Sequence, residues 1–413
     1  MIMKKQNDIC FRYLLVVIFI SVLGVVVRYP LRDYISHDAS GYLLPWFDEI
    51  KSRGGILSLT GQVGNYNVLY QTLIALMTYV PINPLYQYKA LSIIFDYLLA
   101  AGAAVLVYDV LRERDGDPNA FDGVFFLELS RRRNYRAAIV TYTLVLFSAI
   151  VVMNSAVWAQ CDSIYSSCIL WSLVFLFRKK DHKAFILLGM AFAFKLQAVF
   201  ILPFFAFYYL YQKRFSILQF LWIPAVMLLS GIPGVIMGRS PFDVFRIYMN
   251  QTTGINMYME YPSFWTICPG VEGGSDMFPE FYKFKTGAMI LTVMILIMII
   301  YVVYSLHPVI NNNTAIKLAM WMTYTTVYFL PCMTDRYGFL YEIMAIPIAV
   351  IDKKTIPMLI AMHLTMYYIY GGRLGPMMSP VSIQGMSFIL FIVYLAYGIR
   401  LYMDLRGNKE GIA

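Results

Sequence analysis

Four short stretches of an otherwise apolar chain collect side chains that can move protons or grip anions. The first, ISHDASGYLLPW at 35–46, sets His37 and Asp38 ahead of a small Ala-Ser-Gly link and the aromatic–proline run Tyr42, Pro45, Trp46 and Phe47. A carboxylate so placed reaches a reacting group from water while the aromatic run partly dries it, the setting of a general base. Without that chemistry, Asp38 is a loop acid, and Tyr42 and Trp46 are aromatic-belt residues at a membrane surface.

The second stretch, NSAVWAQCDSIYSS at 154–167, joins two apolar segments through a tight turn that holds Trp158, Gln160 and Asp162. A turn needs Asn, Gly or Ser but has no need of Trp, Gln and Asp within five positions; the bland alternative is that Asp162 or Ser163 caps the next helix. The third, FAFKLQAVFILP at 192–203, places Lys195 and Gln197 in an apolar run. An intramembrane lysine must be paired, solvated or snorkelling, and at the outer apex of a helical hairpin its ammonium would meet a lipid phosphate. The fourth, CMTDRYGFLY at 332–341, carries Asp335, Arg336 and Tyr337. Asp335 and Arg336 neutralise each other, or the guanidinium grips a phosphate. Asp96, alone in SIIFDYLLA, reads as a structural acid facing another helix. Arg373 in GGRLGPMMSP fits no pattern.

The elements that must hold these residues are membrane helices. Of 413 residues, 60% are hydrophobic and 14% charged, against roughly 45–50% apolar in soluble domains. The apolar segment 10–27 runs into RYPLRDY without a cleavage site, so it reads as a first spanning helix rather than a signal peptide. Five cysteines lack CxxC spacing, which signals neither a zinc site nor a disulfide framework. The net charge of +9 is read as topology and lipid contact rather than nucleic-acid binding. Apolar windows lie near 10–28, 88–111, 137–156, 162–178, 216–238, 286–306, 315–332 and 385–402, with shorter ones at 67–81, 184–197, 199–211, 338–351 and 355–370. Arg112, Arg114, Arg131, Arg132, Arg133 and Arg136 fall in one loop, 112–136, which the positive-inside rule puts in the cytoplasm. That parity requires 67–81 to lie along the outer face rather than cross it. The expectation is an all-α polytopic integral membrane protein with about 12 transmembrane helices and both termini cytoplasmic. It forms a single membrane domain over 1–413: a first outer loop at 29–87 with juxtamembrane helices, a module at 88–211, and C-terminal helices at 212–413 with an outer loop at 239–285.

At the four stretches the chain resembles the GT-C glycosyltransferases, most closely the dolichyl-phosphate-sugar-dependent glucosyltransferases of the endoplasmic reticulum and the GPI-anchor mannosyltransferase-related proteins, with their bacterial relatives. The family's first-loop acid followed by an aromatic and PW is matched by Asp38, Tyr42, Pro45 and Trp46. Its nYpPlY and aLK…D look like NYNVLY at 65–70 and Lys89 with ALSIIFD at 90–96. WGQxDsiY stands here as WAQCDSIY at 158–165, KlQaiFllP as KLQAVFILP at 195–203, and an HERY-like turn as TDRY at 334–337. The matches run in order over roughly residues 30–340. Ala159 replaces a glycine, a change expected to cost little. Thr334 and Asp335 replace His and Glu, and Asn67 and Val68 stand where prolines are common.

The resemblance implies transfer of a hexose, of mannose or glucose type, from a polyprenyl-monophosphate carrier to a lipid-linked or surface glycan acceptor on the outer or lumenal side, with inversion. Asp38 would be the general base. Trp46, Trp158, Gln160, Asp162, Lys195, Gln197, Arg336 and Tyr337 would bind substrate, Lys195 and Arg336 meeting the phosphate. A divalent metal, Mg or Mn, would be held by Asp38 and Asp162 if by any residues. The partners implied are the lipid-linked sugar donor, the glycan acceptor and membrane lipids, without nucleic acid. The chain is short for the eukaryotic members, which points to a bacterial plasma membrane with an outer-face site; a lumenal site in the endoplasmic reticulum is the alternative. A surface-polysaccharide polymerase or ligase using a diphosphate-linked oligosaccharide, and a lipid or sugar transporter, stay open as other readings.

Overall fold

The computed structural model describes residues 2–116, 124–251, 257–269 and 280–407, with side chains outside the description at 2–11, 124–131, 258 and 259. The expected outer loop 239–285 lies partly beyond these residues, as do Lys409 and the side chains of Lys4, Lys5 and Arg131. Among the described residues seventeen helices carry the fold: α1 (Ile2–Arg28), α2 (Leu44–Ser52), α3 (Val68–Met77), α4 (Pro84–Arg114), α5 (Val124–Leu146), α6 (Ala149–Val152), α7 (Asp162–Phe177), α8 (Asp181–Phe194), α9 (Leu202–Gln212), α10 (Trp222–Ser230), α11 (Ile232–Ile236), α12 (Asp243–Gln251), α13 (Phe281–Leu306), α14 (Asn312–Phe329), α15 (Phe339–Ile351), α16 (Ile356–Leu374) and α17 (Ile383–Gly407). Among the described residues the fold is all-α apart from one short parallel pairing, β1 (Tyr258–Met259) with β2 (Met333–Thr334), and an isolated bridge between Glu260 and Thr334. That pairing ties the segment after α12 to the turn carrying Asp335 and Arg336.

Four helical segments, Arg12–Leu31, Pro84–Arg114, Phe281–Leu306 and Ile383–Gly407, are long and apolar enough to cross a bilayer. Leu14, Phe19 and Val22 of α1, and Ile290, Met294 and Ile297 of α13, leave their side chains exposed on the outside of the bundle, where lipid tails are as apolar as leucine. The interior helices are shorter. α7 has 16 residues, all but Trp171 and Phe175 buried, and at 1.5 Å per residue it is roughly 24 Å long.

Contacts sort the helix ends into two groups. At one end lie Asp38, Asp162, Lys195 and Arg336. At the other, Arg178 pairs with Asp109 at 2.6 Å, Arg214 with Asp181 at 2.7 Å, and Lys317 and Arg400 converge on Asp352 at 2.9 and 2.6 Å.

Three local expectations change. Residues 112–136 are not one loop: α4 continues to Arg114, and Arg131, Arg132, Arg133 and Arg136 lie on α5, because Leu, Glu and Arg are good helix formers. The window 137–156 is not one straight helix but Arg132–Leu146 and Ala149–Val157, bent by 45°. Residues 67–81 form only the ten-residue α3, with Asn67 as its cap; at roughly 15 Å it is too short to cross a bilayer.

Candidate active site

Asp38 follows the 3₁₀ turn Tyr29–Leu31 that ends α1 and immediately precedes a π-helical turn, Ala39–Leu43. The approach is pinned from α4, where Lys89 Nζ donates to the carbonyls of Leu31, Arg32 and Tyr34 at 2.8, 3.1 and 2.6 Å. Ser36 Oγ accepts from the Ala39 amide at 3.1 Å and donates to the Trp158 carbonyl at 2.9 Å, joining the first stretch to the second. A second π-helical turn, Met153–Val157, precedes Trp158. π turns are rare and concentrate where a backbone is re-aimed, and here one flanks each segment that meets at Asp38. Ala159 then takes the left-handed conformation, φ +64°, which reverses the chain so that Trp158 and Gln160 face the same carboxylate. This corrects the expectation that alanine costs little in place of glycine, since the β-carbon opposes that conformation by about 1–2 kcal/mol.

The two oxygens of Asp38 are held unequally. Oδ2 accepts from Trp158 Nε1 at 3.0 Å, Gln160 Nε2 at 2.9 Å and Arg336 Nη1 at 3.2 Å. Among the described residues Oδ1 faces only the Arg373 guanidinium, 3.7 Å away. Gln160 is oriented in turn by Tyr66, whose hydroxyl donates to Oε1 at 3.1 Å, and the Arg336 guanidinium lies over the Trp158 ring, 4.9 Å from its centroid.

Lys195 does not snorkel. It occupies the extended break between α8 and the 3₁₀ turn Leu196–Ile201, is 7% exposed, and donates to Asp162 Oδ1. Asn154 Nδ2 donates to the other oxygen of Asp162 at 2.9 Å. The capping alternative for Asp162 and Ser163 is not realised: Cys161 is the N-cap of α7 without a side-chain bond, and Ser163 Oγ donates to Asp96 instead.

In the turn between α14 and α15, Arg336 Nε lies 3.6 Å from Asp335 Oδ1, so Arg336 serves Asp335 and Asp38 at once. Arg373 stands among three acids, 3.3 Å from Glu260 and 3.7 Å from Asp335 and Asp38. Burial pushes the Asp335 carboxyl up to about 6, although Arg336 and Arg373 draw it down.

Two cavities meet at this floor. One of about 580 Å³ is lined by Asp38, Tyr42, Trp46, Gln160, Glu260, Asp335 and Arg373; one of about 280 Å³ is lined by Asn67, Lys195, Gln197, Gln251 and Tyr337. Both include Asn65, Tyr66, Thr334 and Arg336, so Arg336 stands between them. Gln197 Oε1 is buried without a partner among the described residues. Of the nine site residues expected, Asp38, Trp46, Gln160, Lys195, Gln197, Arg336 and Tyr337 line one cavity or the other, and Trp158 and Asp162 are bonded to lining residues; His37 and Asp96 line neither. Sequence reading gave no role to Glu260, Tyr66 or Arg373; Arg373 was visible only as a cation in a glycine-rich loop.

The surroundings of Asp38 and Asp162 do not fit a shared metal. Asp38 is ringed by hydrogen-bond donors and two guanidiniums, Asp162 by an ammonium and an amide, and no group of three or more His, Cys, Asp or Glu ligands assembles among the described residues. No family model matches the chain, and no curated protein matches its sequence.

Proposed function

We propose that this chain is an integral membrane hexosyltransferase of the GT-C type, moving a mannose- or glucose-type hexose from a polyprenyl monophosphate to a lipid-linked or surface glycan acceptor with inversion. The observation that carries the reading is the half-free carboxylate of Asp38, facing a polar cavity that Arg336 joins to a cation-lined one. A sugar hydroxyl is a weak nucleophile, and a positioned base supplies typically 10²–10⁴-fold. Oδ2 fixes Asp38 in place, and Oδ1 takes the acceptor proton as the acceptor oxygen bonds to the anomeric carbon. The bond from that carbon to the phosphate oxygen breaks on the opposite face, and its electron pair leaves with the phosphate. The donor phosphodiester carries one negative charge and the departing monophosphate up to two, so Arg336 and Lys195 at the smaller cavity stabilise the transition state more than the ground state. Trp46 and Tyr42 offer the larger cavity flat amphipathic faces for a sugar ring.

The charge inventory favours a monophosphate donor. Four carboxylates (Asp38, Asp162, Glu260 and Asp335) face three cations (Lys195, Arg336 and Arg373), so any donor phosphate must share a cation with a carboxylate, and a monophosphate brings less charge to be shared than a diphosphate.

In this reading twelve crossings are made by α1, α4, α5, α7, α8, the segment 196–212, the segment 217–236, α13, α14, α15, α16 and α17, of which four are individually long and apolar enough to span. The end opposite the site gathers Arg112, Arg114, Arg178, Lys179, Lys180, Lys353, Lys354 and Arg400, which the positive-inside rule assigns to the cytoplasm, leaving the site on the outer face, in this reading that of a bacterial plasma membrane.

The test supplies purified protein with radiolabelled polyprenyl-phosphate hexoses or a polyprenyl-diphosphate oligosaccharide, and extracted lipids as acceptors. Wild type should transfer label from a monophosphate, and Asp38→Asn, which keeps the shape of the side chain, should lose on the order of 10²–10⁴-fold. Transfer from the diphosphate alone, or equal rates for both proteins, refutes the reading.

A further inference from the structure

Asp96 lies inside α4, fully buried, and lines neither cavity. Its carboxylate is nevertheless saturated. Oδ2 accepts from Arg28 Nε and Nη2 at 3.1 and 3.0 Å and from Ser155 Oγ at 2.5 Å, and Oδ1 accepts from Ser163 Oγ at 2.6 Å. The three donors come from three places in the chain. Arg28 ends α1, whose continuation delivers Asp38; Ser155 sits in the π-helical turn that aims Trp158; Ser163 directly follows Asp162. Arg28 also donates to the Leu146 carbonyl at 2.8 Å, next to the bend between α5 and α6, where an apolar environment would otherwise leave a backbone acceptor unpaired.

We propose that Asp96 is a positioning residue of the site: it sets the separation between the Asp38 segment and the Trp158–Asp162 turn. Stability alone gives no reason for ions here, because well-packed apolar residues often replace a buried ion pair without loss. Apolar packing has no direction, however. Hydrogen bonds of fixed length to three segments do, and they converge where two backbones are irregular. A displacement of about 1 Å at a reacting centre costs on the order of 10²-fold in rate.

The kinetic consequence rests on the proposed transferase reaction; the geometric consequence does not. The experiment therefore reads both. Ser155→Ala and Ser163→Ala each remove one donor and leave the Arg28–Asp96 pair intact, so the protein folds, and Ser155→Thr restores a hydroxyl. Cys161, buried within the turn at 3% exposure, reports its tightness through thiol-labelling rate in a chain whose other cysteines are alanine. Each alanine variant should label Cys161 at least about tenfold faster than wild type while the unfolding midpoint stays in place, the signature of local rather than global opening. In the same variants kcat should fall about tenfold or more with donor KM within about threefold, and Ser155→Thr should recover most of both losses. Unchanged labelling, or labelling that rises only as the midpoint falls, overturns the positioning role. If the wild type transfers no sugar, the proposed function fails and labelling alone decides the role of Asp96.

Discussion

Breaking the Lys195–Asp162 pair from each side in turn separates a phosphate-gripping lysine from one that merely neutralises an acid. Asp162 is fully buried and Lys195 nearly so, but the two would be stranded differently. After Lys195→Met, Asp162 keeps the Asn154 amide at 2.9 Å and the field of Arg336. After Asp162→Asn, Lys195 keeps an amide oxygen as acceptor but loses its counter-charge, and beyond that oxygen it has the Tyr165 ring, 5.9 Å away. Removing one member of a buried pair costs about 3–5 kcal/mol, and the stranded ammonium should sit in that range. The hydrogen-bonded carboxylate should lose nearer 1–3 kcal/mol. The double variant places methionine beside asparagine with no charge left to strand, so it should be more stable than the sum by about 2 kcal/mol or more. Unfolding midpoints in mild detergent, converted to free energies, close the cycle. Kinetics supply the second axis. An ammonium has three donors, and one bond to Asp162 leaves two for a phosphate. Loss of a charge-assisted bond of about 1.5–3 kcal/mol predicts a donor KM some 10–150-fold higher in Lys195→Met, with no recovery in the double variant. Additive stabilities would refute the pairing, and a double variant with wild-type donor KM would refute the phosphate role.

Ala159→Gly should raise the unfolding free energy by up to about 1 kcal/mol, the relief at φ +64° being partly offset by the entropy glycine loses on folding; Ala159→Val should lower it, and a stabilised valine variant would contradict the backbone argument. Asp335 titrates at about 6, above its ordinary value of 3.8, so the folded state holds its proton more tightly than the unfolded state. Its contribution to stability is present below pH 4 and is lost as pH rises through 6. Above 6 the ionised carboxylate competes with phosphate for Arg336, so donor KM should climb across that range in wild type and stay flat in Asp335→Asn; a climb that survives the substitution assigns it to another group. Gly64→Ala would put a β-carbon 2.6 Å from the Trp46 ring at φ +69°, displacing that wall of the larger cavity, so KM for the acceptor should rise while donor KM holds; unchanged KM values would remove Trp46 from acceptor binding.

What could be read from the sequence follows the contrast between residue and background. In a chain this apolar, Asp38, Gln160, Asp162, Lys195 and Arg336 stand out because each is expensive in its setting, and they lie together in space. The helices were legible for the same reason, as apolar windows bounded by charge. What escaped has no local signature. The partner of Asp96 is Arg28, 68 positions away, and one sequence holds no covariation to link them. Nothing in NSAVWAQ announces a π turn or a left-handed alanine, because backbone conformation there is imposed by the packing of α4, α5 and α7. Glu260 sits in a loop and Arg373 in the last turn of α16, places where charge is ordinary, and only the fold converts them into the walls of a cavity.

The mismatch between apolar length and hydrocarbon thickness carries its own functional argument. α7, α8 and α15 have 16, 14 and 13 residues, roughly 24, 21 and 20 Å, against a hydrocarbon core of about 30 Å. Helices this short survive in a bilayer only when longer neighbours shield their ends, and α4, α13 and α17, of 31, 26 and 25 residues, are long enough for that. On the proposed twelve-crossing arrangement, the opposite ends of the short helices are anchored at the cytoplasmic surface by Arg178–Asp109, Arg214–Asp181 and the Asp352 cluster, so the shortfall of about 6–10 Å falls entirely on the site side. Asp162, Lys195 and the turn carrying Arg336 then lie several ångströms inside the outer hydrocarbon boundary, below the level of ordinary lipid phosphates. A soluble sugar nucleotide would have to descend to that level against the apolar barrier; a phosphate already tethered to a polyprenyl chain is held there by its own tail. The length of α7 is therefore a specificity element: inserting one helical turn into its middle should lift the floor by about 5 Å and abolish transfer from a polyprenyl phosphate, and retained transfer would show that depth does not select the donor.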